Sequence, residues 1–360
     1  MIRVTQSFTP PGYFAMTMGT GIVSIFLHSF ATLYPRHHKV LKIIGITFSF
    51  TNAVLFLLIL SVFLIRYISC PAPWHSMLHH PAQSLFLGTL PKGFATPISI
   101  FAAVHVTRWG GASVPLVWTM WWIDVSIRMA CCLGAPFLMM TRHRNLHETM
   151  TVVWLLPIVA PIVAAATGAV VASVLPDPQQ ALITIITSYV LWGIGVPLAS
   201  IDIVIYFHRL ANRGIPPHET IVSVFLPLGP LVWLRVHFSL TGTLIVNAGE
   251  AAYIVGVGVG IVMWVASILH RRRFPFNIGW WGLIFPLGTI AMPTLTLGEE
   301  ILSPFFRILG TEGICVILPR CIVSFATARN AVSDKLFADP CLPTMGRGSE
   351  EAAEKERGVA

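Results

Sequence analysis

Few side chains in this sequence can hold a charge or a metal, and they fall into small groups. Lys92 sits in Leu90-Pro91-Lys92-Gly93, well inside an apolar stretch. A lysine at the centre of a membrane helix costs on the order of 2.5–3.5 kcal/mol, so it has to face a partner or a water-filled cavity. Two roles fit: raising the local concentration of an anion, or pairing with a carboxylate on a neighbouring helix. Asp124 and Arg128 stand one helical turn apart, a spacing at which the two charges satisfy each other. Arg235, His237, Arg307, Arg320 and Asp202 also fall in apolar stretches, without obvious local partners. Basic groups therefore outnumber acids there, which favours anions over cations.

Histidines supply the other candidate chemistry. His75, His79 and His80 form H-x-x-x-H-H, and His143 with His147 form H-x-x-x-H, spacings that can put imidazoles on one helical face. Membrane di-iron enzymes use such boxes but need a third cluster, whereas His208, His218, His237 and His270 stand alone. These are expected to be solvated loop side chains, with no enzyme activity, no metal and no cofactor. The six cysteines (Cys70, Cys131, Cys132, Cys315, Cys321 and Cys341) lack zinc-type spacing and read as packing residues.

The elements that position these groups follow from composition. Of 360 residues, 55% are hydrophobic and 11% charged, with a mean hydropathy of +0.76. Soluble domains carry about 25% charged residues, so the chain is expected to be an all-α integral membrane protein. Apolar windows of about 20 residues predict spans near 11–30, 40–66, 84–106, 114–140, 151–174, 180–207, 219–246, 251–270, 277–297 and 304–328. The first window follows Thr9-Pro10-Pro11, lacks a cleavage site and should be kept as a span. Ten spans put fourteen basic residues, among them Arg66, Arg142, Arg209 and Arg271, on the side of the termini. Only Arg36, Lys39, Lys42 and Arg108 lie opposite, which makes both termini cytoplasmic. The net charge of +8 is spread over these loops rather than gathered in one patch, so no nucleic-acid partner is expected. Residues 1–335 make the membrane domain, and 336–360 a short polar disordered tail.

Prolines sort by span. The odd spans carry two each: Pro10 and Pro11, Pro91 and Pro97, Pro157 and Pro161, Pro227 and Pro230, Pro286 and Pro293. Three of them begin Pro-x-Gly, at Pro91–Gly93, Pro227–Gly229 and Pro286–Gly288. A proline frees a helix carbonyl that lipid cannot satisfy, so broken helices belong inside the protein, where they commonly line a path. An odd span and the even span after it would then form one hairpin, used five times, with five bent helices ringing a pore. Phe14, Phe94, Phe225 and Phe285 recur beside the bends, where a ring can pack or close a narrow apolar pore.

The motifs Phe8-Thr9-Pro10 to Met18-Gly19-Thr20-Gly21, Gly88-Thr89-Leu90-Pro91-Lys92-Gly93, Trp121-Trp122-Ile123-Asp124, Phe225-Leu226-Pro227-Leu228-Gly229-Pro230 and Gly279-Trp280-Trp281-Gly282 through Phe285-Pro286-Leu287-Gly288-Thr289 resemble the tellurite-resistance/dicarboxylate transporter family. Within that family they look most like fungal sulfite efflux pumps, with malic acid permeases next. The resemblance implies ten helices as five hairpins around a central pore lined by the odd helices, often assembled as a homotrimer in the plasma membrane. It implies Phe285 as the pore gate and Gly19, Thr20, Gly21, Pro91, Gly93, Phe94, Pro157, Pro227, Gly229, Pro286 and Gly288 as pore-lining or helix-break positions. The expected substrate is a small anion, sulfite or bisulfite, with malate or another C4-dicarboxylate as the alternative and a phosphorylation-gated channel ranked lower. Two departures stand out. Lys92 replaces the apolar residue usual between that proline and glycine, and Leu231 to His237 replaces a glycine- and glutamine-rich turn.

Overall fold

In the computed structural model the apolar stretches are helical, the one arrangement of a single segment that pairs its backbone groups without water. The structure describes residues 11–33, 38–69, 71–79, 83–106, 110–142, 150–213 and 280–300, with shorter pieces up to 329. Among them there is no strand. The predicted seventh and eighth spans, with Pro227 and Gly229, lie outside the described residues, as do both termini.

The helices are α1 (Phe14–Leu33), α2 (His38–Ser69), α3 (Pro71–His79), α4 (Thr89–Ile100), α5 (Ser113–Thr141), α6 (Leu155–Ile158), α7 (Ala160–Ala172), α8 (Pro178–Arg213) and α9 (Trp281–Glu300). Among the described residues, five helical stretches are long and apolar enough to cross a membrane, and a bent pair, Val152–Ile158 with Ala160–Ala172, makes a sixth. They match the first six predicted spans, α2, α5 and α8 running a little longer at both ends.

Burial separates two classes. The apolar windows of the first and third spans are 78% and 61% buried, against 22%, 28% and 28% for the second, fourth and sixth. In α7 only Ala169 and Val170 escape burial, because alanine, glycine and valine let three neighbours come close. Leu57, Leu64, Phe137 and Val204 on the second, fourth and sixth spans stay exposed, as lipid-facing side chains do. The inner helices pack in sequence: α9 on α1, α1 on α4 and α4 on α7. α2 covers α1, α5 lies against both α4 and α7, and α8 covers α7.

The prolines bend the inner helices as their chemistry requires. The fifth span breaks by 44° between Ile158 and Ala160, with Pro157 and Pro161 on either side. Pro97 cannot donate to Gly93 O, and the Thr96 hydroxyl donates to that carbonyl at 3.1 Å instead. Past it the third span widens into a π-helical turn, Phe101–Val106. Pro136 and Pro197, on outer helices, sit inside α5 and α8 without ending them.

Candidate functional site: the helix breaks and their buried cations

Lys92 and Arg128 meet where the third, fourth and fifth spans converge. Both are buried, at 3% and 0% exposure. Arg128 Nε donates to Asp124 Oδ2 at 2.6 Å, the expected i,i+4 pair. Its other nitrogens reach further than that spacing foretells: Nη1 donates to Ala160 O at 2.8 Å, on the fifth-span break, and Nη2 to Pro91 O. One planar guanidinium thus ties the bends of two inner helices to an outer one, a geometry lysine could not supply. Trp121 reinforces the joint by donating from Nε1 to Ala164 O at 3.0 Å.

Lys92 interacts electrostatically with Arg128 and with Cys131. Among the described residues its ammonium makes no hydrogen bond or ion pair with protein. Asp124 is already committed to Arg128, so a protonated Lys92 adds a positive charge that no described carboxylate balances. Of the two roles open to Lys92, pairing with a carboxylate is not met by any described residue. Among the described residues Asp124 Oδ1 accepts no hydrogen bond.

The first and ninth spans meet through glycine. A Cβ on Gly19 would lie 3.1 Å from the Trp281 ring and 3.3 Å from Ile284 Cβ, and one on Gly288 would collide with Ile22. Phe285 is 6% exposed beside this contact, in the main apolar cluster with Ile284, Trp281 and Met18. Pro286 is buried, and Thr289 Oγ1 donates to Pro286 O at 2.7 Å. Trp281 Nε1 donates to Thr327 Oγ1 at 2.9 Å, linking the ninth span to the tenth.

A second polar knot joins the first three spans. Asn52 Nδ2 donates to Thr96 Oγ1 at 3.0 Å, and a Cβ on Gly21 would strike both residues, while one on Gly93 would strike Thr17. Thr20 is wholly buried, its hydroxyl donating to Met16 O at 2.8 Å. Sequence reasoning passed over Asn52, although an amide in a long apolar helix must seek a partner, which was the available signal. Pro157 packs on Gly88, where a Cβ would come within 2.9 Å of Pro157 Cα. Phe94 goes elsewhere: it stacks on Phe56 of α2 at 5.3 Å and borders a cavity of about 340 Å³ with Ser24, Pro97 and Phe101, away from Phe285. The sequence-predicted glycines thus lie at two helix contacts, Gly19 and Gly288 where the first and ninth spans meet, and Gly21 and Gly93 where the first and third spans meet, while Pro157 lies against Gly88.

A family profile described as voltage-dependent anion channel matches residues 8–328. Among known proteins, a sulfite efflux pump of Arthroderma benhamiae is 40% identical over 348 residues, covering 91% of this chain and 92% of the pump. One of Trichophyton rubrum is 39% identical with the same coverage. A malic acid transport protein of Schizosaccharomyces pombe is 24% identical over 371 residues, 96% of this chain and 83% of that protein.

Proposed function

Since the chain belongs to the voltage-dependent anion channel family and is a multi-pass membrane anion transporter, we propose that it exports sulfite or bisulfite from the cell. The observation that carries this reading is identity near 40% with sulfite efflux pumps over 91% of this chain and 92% of each pump. Malate is the weaker candidate, resting on a relative at 24%.

In this reading five hairpins surround a pore lined by the odd helices, in the plasma membrane, with both termini cytoplasmic and three subunits per assembly. The anion is drawn by the excess charge of Lys92 and by the positive ends of the half-helices at the proline breaks. Each nitrogen of Arg128 already donates to protein, so its part is to hold Pro91 and Ala160 in place. Phe285 closes the path by filling it and excluding water. Nothing covalent happens to the anion. Export runs down an inside-negative potential worth about 2.3 kcal/mol per charge per 100 mV.

Expression in a sulfite-sensitive yeast tests the substrate. Sulfite tolerance and efflux are expected to rise, while malate uptake in the same cells stays at background. Raised malate uptake with unchanged tolerance would replace sulfite by a C4-dicarboxylate. Lys92→Met is expected to lower anion flux about tenfold or more at unchanged surface abundance, a barrier change near 1.4 kcal/mol. Loss of folded protein with flux per molecule retained would assign Lys92 to structure instead.

A further inference from the structure

Helix α3 follows α2 directly and is nine residues long. One face is anchored. Trp74 meets Tyr67 edge-on at 5.2 Å and Phe63 at 6.4 Å, and the Tyr67 hydroxyl donates to Met77 Sδ at 3.0 Å. Met77 is 1% exposed, whereas His75 faces outward and His79 is half-buried. The two imidazoles, one turn apart, have their ring centres 4.2 Å from each other, tilted by 45°.

The hydrogen bonding decides what such a pair can do. His79 Nδ1 lies 2.8 Å from His75 O. A carbonyl oxygen only accepts, so the proton is on Nδ1 and the Nε2 lone pair is free. Metal-binding histidines use this same arrangement, one ring nitrogen donating to a backbone carbonyl while the other coordinates. Two histidines at i,i+4 on a helix also place both rings within reach of one ion.

We propose that His75 and His79 form a two-imidazole site for a divalent transition-metal ion, copper(II) before zinc. The order follows the general affinity series for nitrogen ligands. Among the described residues no group of three histidine, cysteine or carboxylate side chains gathers anywhere, so water completes the coordination. With no carboxylate beside the pair among the described residues, oxygen-seeking ions such as Mg²⁺ and Ca²⁺ find no preferred ligand there. The ring packing beneath the helix anchors the backbone that carries both histidines, and the His79 hydrogen bond to His75 O orients that ring before the ion arrives, which lowers the ordering cost of binding. The site is independent of the transport reading, since it shares no residue with the helix breaks.

The test is titration of the purified full-length protein in detergent with CuCl₂, ZnCl₂ and MgCl₂, followed by calorimetry and by electron paramagnetic resonance of the copper form. One saturable copper site per chain is expected, with imidazole nitrogen coupling, weaker zinc binding and no magnesium binding. His75→Gln and His79→Gln should each weaken copper binding about tenfold or more. On the unmodified protein, zinc should protect both histidines from diethylpyrocarbonate. Absence of a saturable copper site, equal binding by both variants, or modification of the two histidines unaffected by zinc would each overturn the proposal.

Discussion

Phe285→Ala is expected to raise basal anion conductance in reconstituted membranes by at least about tenfold per folded molecule, the change that follows from lowering the passage barrier by 1.4 kcal/mol. With phenylalanine as the plug, alanine removes the ring that excludes water, and leucine or methionine should give intermediate conductance by filling part of the space. Because Phe285 also lies in the core, truncation carries a folding cost of about 3–5 kcal/mol. Conductance must therefore be normalised to monodisperse protein. Ile284→Ala is the control: that neighbour packs against Gly19 and is fully buried, so it should lose stability without gaining conductance. Unchanged or lower conductance of Phe285→Ala at normal abundance would remove Phe285 from the gate.

Arg128→Ala should be the most damaging single change to folding. It strips the partner from a buried Asp124 and withdraws donors from Pro91 O and Ala160 O at once. Breaking one side of a buried ion pair costs about 3–5 kcal/mol, because the remaining charge is uncompensated. The expected result is loss of the monodisperse peak in fluorescence-detected size-exclusion chromatography, or a midpoint lowered by many degrees after heating. Arg128→Lys should recover part of the stability, since it restores the charge but not the three-way reach. The double change Arg128→Leu with Asp124→Leu should be milder than Arg128→Ala, because no lone charge remains. Equal behaviour of Arg128→Ala and the unaltered protein would mean that the bridge contributes nothing.

The alternation of prolines predicts interior odd spans, because lipid penalises a freed carbonyl wherever it occurs. Burial of the first and third spans against exposure of the second, fourth and sixth follows that division. The Asp124–Arg128 pair was equally legible, being local. The onward contacts of Arg128 were not, since their acceptors are backbone carbonyls and leave no trace in residue type. The same holds for Gly19 and Gly288: glycines in apolar stretches are visible, but the ring or isoleucine each admits lies at the far end of the chain. Phe94 reads as a bend aromatic like Phe285, and only its stacking on Phe56 sets it apart. The histidines of α3 looked like loop residues because a nine-residue helix has too little periodicity to announce itself.

The contact of α9 on α1 also governs how the protein is made. During synthesis α1 enters the bilayer long before α9 exists, so the groove at Gly19 stays without Trp281 and Ile284 until nearly the whole chain has been inserted. The early hairpin must therefore wait in lipid with that face bare. A nascent chain halted before residue 281 has no means of completing that join.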